Sequence, residues 1–173
     1  MSGNKYIVSA ALIAGAISLA PAAQAAQPGF YVGGGIGQGD DLVLHQTSSA
    51  YKIFGGYNVN PFLGMELAYI NLGSNYVDVN NNGFTQDGVS YELVGHIPIG
   101  PTLDIFGKVG LYNWSASTNY SYASVQGTNN DYGFGLSARV APQLWLRGEY
   151  QKFLDVDGGD VNMTSVSVSY HFY

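Results

Sequence analysis

Cysteine is absent from this chain and charge is scarce: among 173 residues there are 12 acidic and 6 basic side chains, 10% of the total. A soluble globular domain carries roughly 25% charged residues, so something other than water must cover part of the surface. Without cysteine, neither a disulfide scaffold nor a thiolate metal site can form. A net charge of -6 excludes the basic footprint of a nucleic-acid-binding protein. Long apolar runs are also missing beyond the N-terminus, so no later segment can span a membrane as a helix. What the chain has instead is 24 glycines and an aromatic set of 14 Tyr, 8 Phe and 2 Trp. That content excludes disorder.

The first 25 residues read as a secretory signal peptide. Lys5 is a short basic start, Tyr6 to Leu19 is apolar, and Ala23-Gln24-Ala25 after Pro21 is a small-x-small cleavage site. An N-terminal membrane anchor is the alternative, but the apolar stretch falls short of the roughly 20 residues a spanning helix needs. Residues 26–173 are then one domain, and export without cysteine fits a bacterial envelope protein.

From Pro28 onward the alternating period of a strand replaces any helical period. Eight segments emerge, near 29–38, 49–58, 62–71, 88–97, 102–114, 131–141, 143–153 and 162–172. Tight breaks at Asn58-Val59-Asn60-Pro61, Pro98-Ile99-Gly100-Pro101 and Ala141-Pro142 alternate with longer polar connections at 39–48, 72–87, 115–130 and 154–161. Short turns at one end, long loops at the other and an even number of strands predict an all-β, eight-stranded antiparallel up-and-down transmembrane barrel.

One face of each segment is apolar and uncharged, as in Leu63, Met65, Leu67 and Tyr69, or Tyr132, Phe134, Leu136, Ala138 and Val140. The opposite faces carry Lys52, Glu66, Glu92, Asp104, Lys108, Arg139, Arg147 and Glu149, four of each sign. A soluble ligand-binding barrel would turn the apolar set inward; a membrane barrel turns it outward. Charge placement favours the membrane, because Lys or Arg facing lipid costs about 2–4 kcal/mol at the midplane. Tyr51, Tyr69, Tyr91, Tyr132 and Tyr150 toward the long loops, and Phe30, Tyr57, Phe62, Tyr170 and Phe172 toward the short turns, make two interfacial belts. Eight strands enclose an interior that side chains just fill. Phe54, Phe106, Tyr112 and Trp145 supply bulk there, with the charged residues as a paired network.

Phe30-Tyr31-Val32-Gly33, IFGGYNVNPFLGMELAYINLG from Ile53, LDIFGKVGLYNW from Leu103, APQLWLRGEYQ from Ala141 and SVSYHF from Ser167 resemble the transmembrane domain of the outer-membrane protein A family. The resemblance implies insertion by the outer-membrane assembly machinery, with the long loops outside the cell. It also implies a gating Glu–Arg pair, on Glu66 and Arg147. Val94 and Ser137 stand where that family has a second charged pair. Since the chain ends at Tyr173, the family's peptidoglycan-binding domain is not expected; in size the chain is closer to outer-membrane protein X. Val166, Val168, Tyr170 and Phe172 resemble the terminal signal captured by the assembly machinery.

Other constellations carry little chemistry. The run from Gly33 to Gly39 lacks dinucleotide spacing, His45, His96 and His171 are scattered, and Asp155-Val156-Asp157-Gly158-Gly159-Asp160 lacks the glutamate of an EF-hand. No metal, cofactor or catalytic site is expected. Asp40, Asp41, Asp78, Asp87, Asp131, Asp155, Asp157 and Asp160 against Lys152 are expected at the long-loop rim, beside lipopolysaccharide phosphates and bridged to them by divalent cations. The expected function is a structural outer-membrane protein with surface loops, its partners the outer-membrane lipids and lipopolysaccharide. The alternatives are a narrow ion channel at Glu66 and Arg147 and, further off, a lipid-modifying enzyme. The loops encode no recognisable adhesion, phage or host ligand.

Overall fold

The computed structural model describes residues 27–41, 46–73, 76–77, 83–118, 121–156 and 159–172. Residues 1–26, His45, Asp78, Asp157 and Tyr173 lie outside them. Its strands are β1 (Gly29–Asp41), β2 (Gln46–Asn60), β3 (Leu63–Asn71), β4 (Tyr76–Val77), β5 (Gly83–Ile99), β6 (Leu103–Thr118), β7 (Ser121–Ala141), β8 (Leu144–Val156) and β9 (Gly159–Phe172). All neighbours are antiparallel, and pairing of β1 with β9 and of β3 with β5 closes eight strands into a barrel. The two-residue β4 pairs with the outer end of β5 alone and takes no part in closing the barrel.

The turns at the short end follow from local chemistry. Asn60 Oδ1 accepts the backbone N–H of Phe62 and of Leu63, at 2.8 and 2.9 Å, and so reverses the chain between β2 and β3. Gly100 takes φ +77° ahead of Pro101, a backbone geometry that favours glycine. At the other end the structure corrects the sequence reading. Residues 115–118 and 121–130, expected within one loop, continue the ladder of β6 and β7. β1 and β2 likewise extend through Asp41 and from Gln46. A membrane crossing takes about 9–11 strand residues, so β5, β6 and β7, of 17, 16 and 21 residues, rise well beyond it as a hairpin wall.

The alternation fixes which way each side chain points. Leu67, Leu136, Phe134 and Val166 are at least half exposed on the outside, whereas Arg147 is 5% and Lys108 2% exposed. Around the outer wall the aromatics pair across strands, Phe30 with Tyr57 at 4.7 Å near the short turns and Tyr51 with Tyr69 at 6.3 Å near the other end. Inside, large rings require glycine opposite them. A Cβ on Gly135 would lie 2.7 Å from the Phe106 ring, and one on Gly33 would collide with the ring of Phe54. Gly135→Val is therefore expected to cost about 1–3 kcal/mol through overpacking. Gly148→Ala, on the lipid face with nothing within 4 Å of the added carbon, should leave the urea midpoint almost unchanged.

Candidate functional site: the barrel interior

Three tiers fill the interior. The middle tier is ionic. Glu66 and Glu92 are direct partners on β3 and β5, a like-charge pairing that is unfavourable unless a cation lies between them. Lys108 from β6 supplies it, with Nζ 3.2 Å from Glu66, 2.8 Å from Glu92 and 2.6 Å from Glu149 across the lumen. Lys52 meets Glu149 at 2.6 Å. Arg147 bonds Glu66 at 2.7 Å and reaches Glu149 at 3.4 Å. Its guanidinium lies between two rings, with Cζ 4.6 Å from the Phe54 centroid and 4.5 Å from that of Phe106. Such stacking strengthens where water is excluded.

Neutral groups extend the lattice in a way that sequence reading missed. Tyr31 donates its hydroxyl to Glu66 at 3.0 Å. Gln151 Nε2 donates to Glu92 at 2.6 Å and to Asp131 at 2.7 Å, and Ser90 donates to Asp131 at 2.7 Å. Asp131, expected at the rim, is 2% exposed and points inward. The signal was available, because Asp131 has the parity of Ser137 and opposite parity to the outward Tyr132. Two further expectations are corrected. Asp104 pairs instead with His96, at 2.7 Å. Arg139 is half-exposed near the short turns and forms no ion pair with a described residue. Buried carboxylates, Glu66, Glu92, Asp104, Asp131 and Glu149, thus outnumber the buried cations Lys52, Lys108 and Arg147. The interior is acidic rather than balanced.

The outer tier is apolar. Ile70, Leu72, Tyr112, Trp114, Phe153, Val156, Val161 and Met163 form a buried cluster, with the rings of Tyr112 and Phe153 tilted against each other at 4.6 Å. This plug sits above the ions because the inward positions there change from charged to apolar, three of them aromatic. The inner tier holds His96 and Asp104, the stacked rings of Tyr31 and His171 at 5.1 Å, and Trp145. A cavity of about 20 Å³ between them has room for one water. At the rim, Lys152 pairs with Asp160 at 2.8 Å, and that hydrogen bond holds the Asp160 carboxyl below its ordinary range. The outward face of β9 presents Val166, Val168, Tyr170 and Phe172 to lipid.

Fold, belts and buried ions together define a small outer-membrane β-barrel with a filled interior. The chain belongs to the family described as outer membrane protein beta-barrel domain, which matches residues 9–172; its location is the outer membrane of a Gram-negative bacterium. It is similar to outer membrane protein A of Escherichia coli O157:H7, 31% identical over 143 residues, covering 74% of this chain and 40% of that protein. The chain thus spans about two fifths of the length of the curated relatives it matches. Among solved structures, Neisserial surface protein A superposes with a TM-score of 0.67 at 18% identity, over 83% of this chain and 97% of that one. Ail of Yersinia pestis, in complex with the heparin analogue sucrose octasulfate, gives 0.62 at 16% identity, over 85% and 100%. Both share the fold.

Proposed function

We propose that the protein is a non-catalytic structural barrel that strengthens the outer membrane and displays its hairpin wall at the cell surface, after export directed by residues 1–25. The observation that carries this reading is the filled interior: an apolar plug stands above an ion lattice in which Lys108 binds three carboxylates. Ions crossing the barrel would have to displace both. Planar-bilayer recordings test it, with the expected result that wild type and Glu66→Ala both show no open current. A current that Glu66→Ala enlarges would replace it with the second reading, a narrow channel gated at Glu66 and Arg147. That reading draws on Arg147 having a second carboxylate, Glu149, within reach at 3.4 Å. The acidic interior would make such a channel cation-selective.

We also propose that Val166, Val168, Tyr170 and Phe172 serve as the signal by which the assembly machinery captures β9. Removing Phe172 and Tyr173 is expected to lower the folded fraction in cell membranes several-fold, read as loss of the heat-modifiable band on gels. Unchanged yields would leave these residues as lipid-facing packing alone.

A further inference from the structure

At the short-turn end, the small cavity of the inner tier is lined by side chains whose hydrogen-bonding capacity is unused. Asn58 Oδ1, His96 Nε2 and Asp104 Oδ1 are buried without a partner among the described residues, and all three side chains border the cavity of about 20 Å³. His96 Nδ1–H, spent on Asp104 Oδ2 at 2.7 Å, leaves Nε2 a bare acceptor. The three groups are thus acceptors that await donors, and leaving them unmet is costly. Arg147 also borders the cavity, but it is committed to Glu66 at 2.7 Å and Glu149 at 3.4 Å. The first described residue reaches this place. Continued in register, Gln27 would stand opposite Asn60, since Gly29 pairs with Asn58. Instead the chain bends at Pro28, and the Gln27 carbonyl accepts a hydrogen bond from Nδ2 of the fully buried Asn58 at 3.5 Å. Gly29 takes φ +151° beside the bend, a geometry that favours glycine.

We propose that, once the leader is removed after Ala25 as the export reading above requires, the new α-ammonium of Ala26 enters this cavity, pairs with Asp104 and locks the inner mouth of the barrel. Like a lysine head group it brings a positive charge and three N–H donors, against three waiting acceptors. At most about 7 Å of extended chain, two residues, separates its nitrogen from the Gln27 carbonyl. Asn58, which holds that carbonyl, is itself a wall of the cavity, so the reach suffices. A water molecule fits the same space but offers two donors and no charge. The attached leader would make the same nitrogen an amide with one donor and no charge, so the lock forms only on cleavage. Its charge also offsets part of the excess of buried carboxylates over Lys52, Lys108 and Arg147. Pro28 restricts Gln27 to extended backbone, which limits the entropy lost on docking.

Protein exported to the outer membrane and purified in detergent tests this, with pyridine carboxaldehyde, a reagent selective for α-amines, as the probe and intact mass as the readout. The mass is expected to show a chain that starts at Ala26. Folded wild type should then react about tenfold more slowly than the same protein unfolded in urea, the scale of one charged hydrogen bond. Folded Asp104→Asn should lose most of that protection while keeping its heat-modifiable mobility. If this variant does not fold, the comparison of folded with unfolded wild type decides alone. A terminus that reacts equally fast in both states would leave the three acceptors to water and overturn the proposal. So would full protection in folded Asp104→Asn. A mass that retains residues 1–25 would instead remove the cleavage reading, and the lock with it.

Discussion

Lys108→Met is expected to destabilise the folded barrel by about 3–5 kcal/mol, the cost of leaving buried charges without their partner. Lys108 Nζ stands among Glu66, Glu92 and Glu149 within 3.2 Å, and all four side chains are sealed from solvent. Methionine keeps the length of the stem and removes the ammonium group with its charge and its donors, so the loss is one of ion pairs and hydrogen bonds rather than a large cavity. Glu66 retains Arg147 and Glu149 retains Lys52, but Glu92 is left with Gln151 alone. Urea unfolding in lipid vesicles reads the loss. Pairing the variant with Glu92→Gln should restore part of it, because the orphaned carboxylate is then gone. Arg139→Ala, half-exposed and outside the lattice, should shift the same measurement by no more than about 0.5 kcal/mol. Comparable losses for Lys108→Met and Arg139→Ala would show that the lattice contributes nothing specific.

Leu136→Arg tests the other face. Leu136 is 54% exposed on the outer wall, between Ile105 and Gly148 on the neighbouring strands and midway between the belt tyrosine Tyr132 and the short turn after Ala141. An arginine at that depth is expected to cost about 2–4 kcal/mol, whereas near the interface the penalty falls to about 0–1 kcal/mol. Arginine at Val140, on the same face but nearer the membrane edge, is the control. The expected order in urea midpoints is therefore wild type, then Val140→Arg, then Leu136→Arg well below both. Equal tolerance at the two depths would mean that this face does not lie in hydrocarbon.

Much of the architecture is legible in the chain because lipid enforces a one-sided rule. Leu63, Met65, Leu67 and Tyr69 alternate with Gly64, Glu66, Ala68 and Ile70, and no charge can cross to the lipid side without the midplane penalty. Proline at Pro61, Pro101 and Pro142 marks the short turns, where no ladder needs its missing N–H. Above the membrane that rule lapses. Residues 115–118 and 121–130 include many turn-like types, yet they pair as strands, since a ladder already started by β6 and β7 can continue wherever nothing breaks it. Of the apolar plug, Tyr112 is legible as interior bulk, but Phe153, Val161 and Met163 face inward at a level where the outward face is polar, so periodicity alone resembles an ordinary soluble core. Asp131 shares the inward parity of Ser137, and strand parity rather than its charge decides which side it faces. Which carboxylate meets which cation depends on side-chain reach across the lumen, as between Lys52 on β2 and Glu149 on β8, and sequence spacing does not encode that.

The most direct measurement uses two adjacent residues on β5. Leu93 is 51% exposed on the outer wall, and Val94 is fully enclosed. With methyl-labelled protein in nanodiscs, nuclear Overhauser contacts to lipid acyl chains should appear for Leu93, Leu67 and Leu136 and be absent for Val94. Acyl-chain contacts at Val94 with none at Leu93 would place the ions toward lipid and contradict the account.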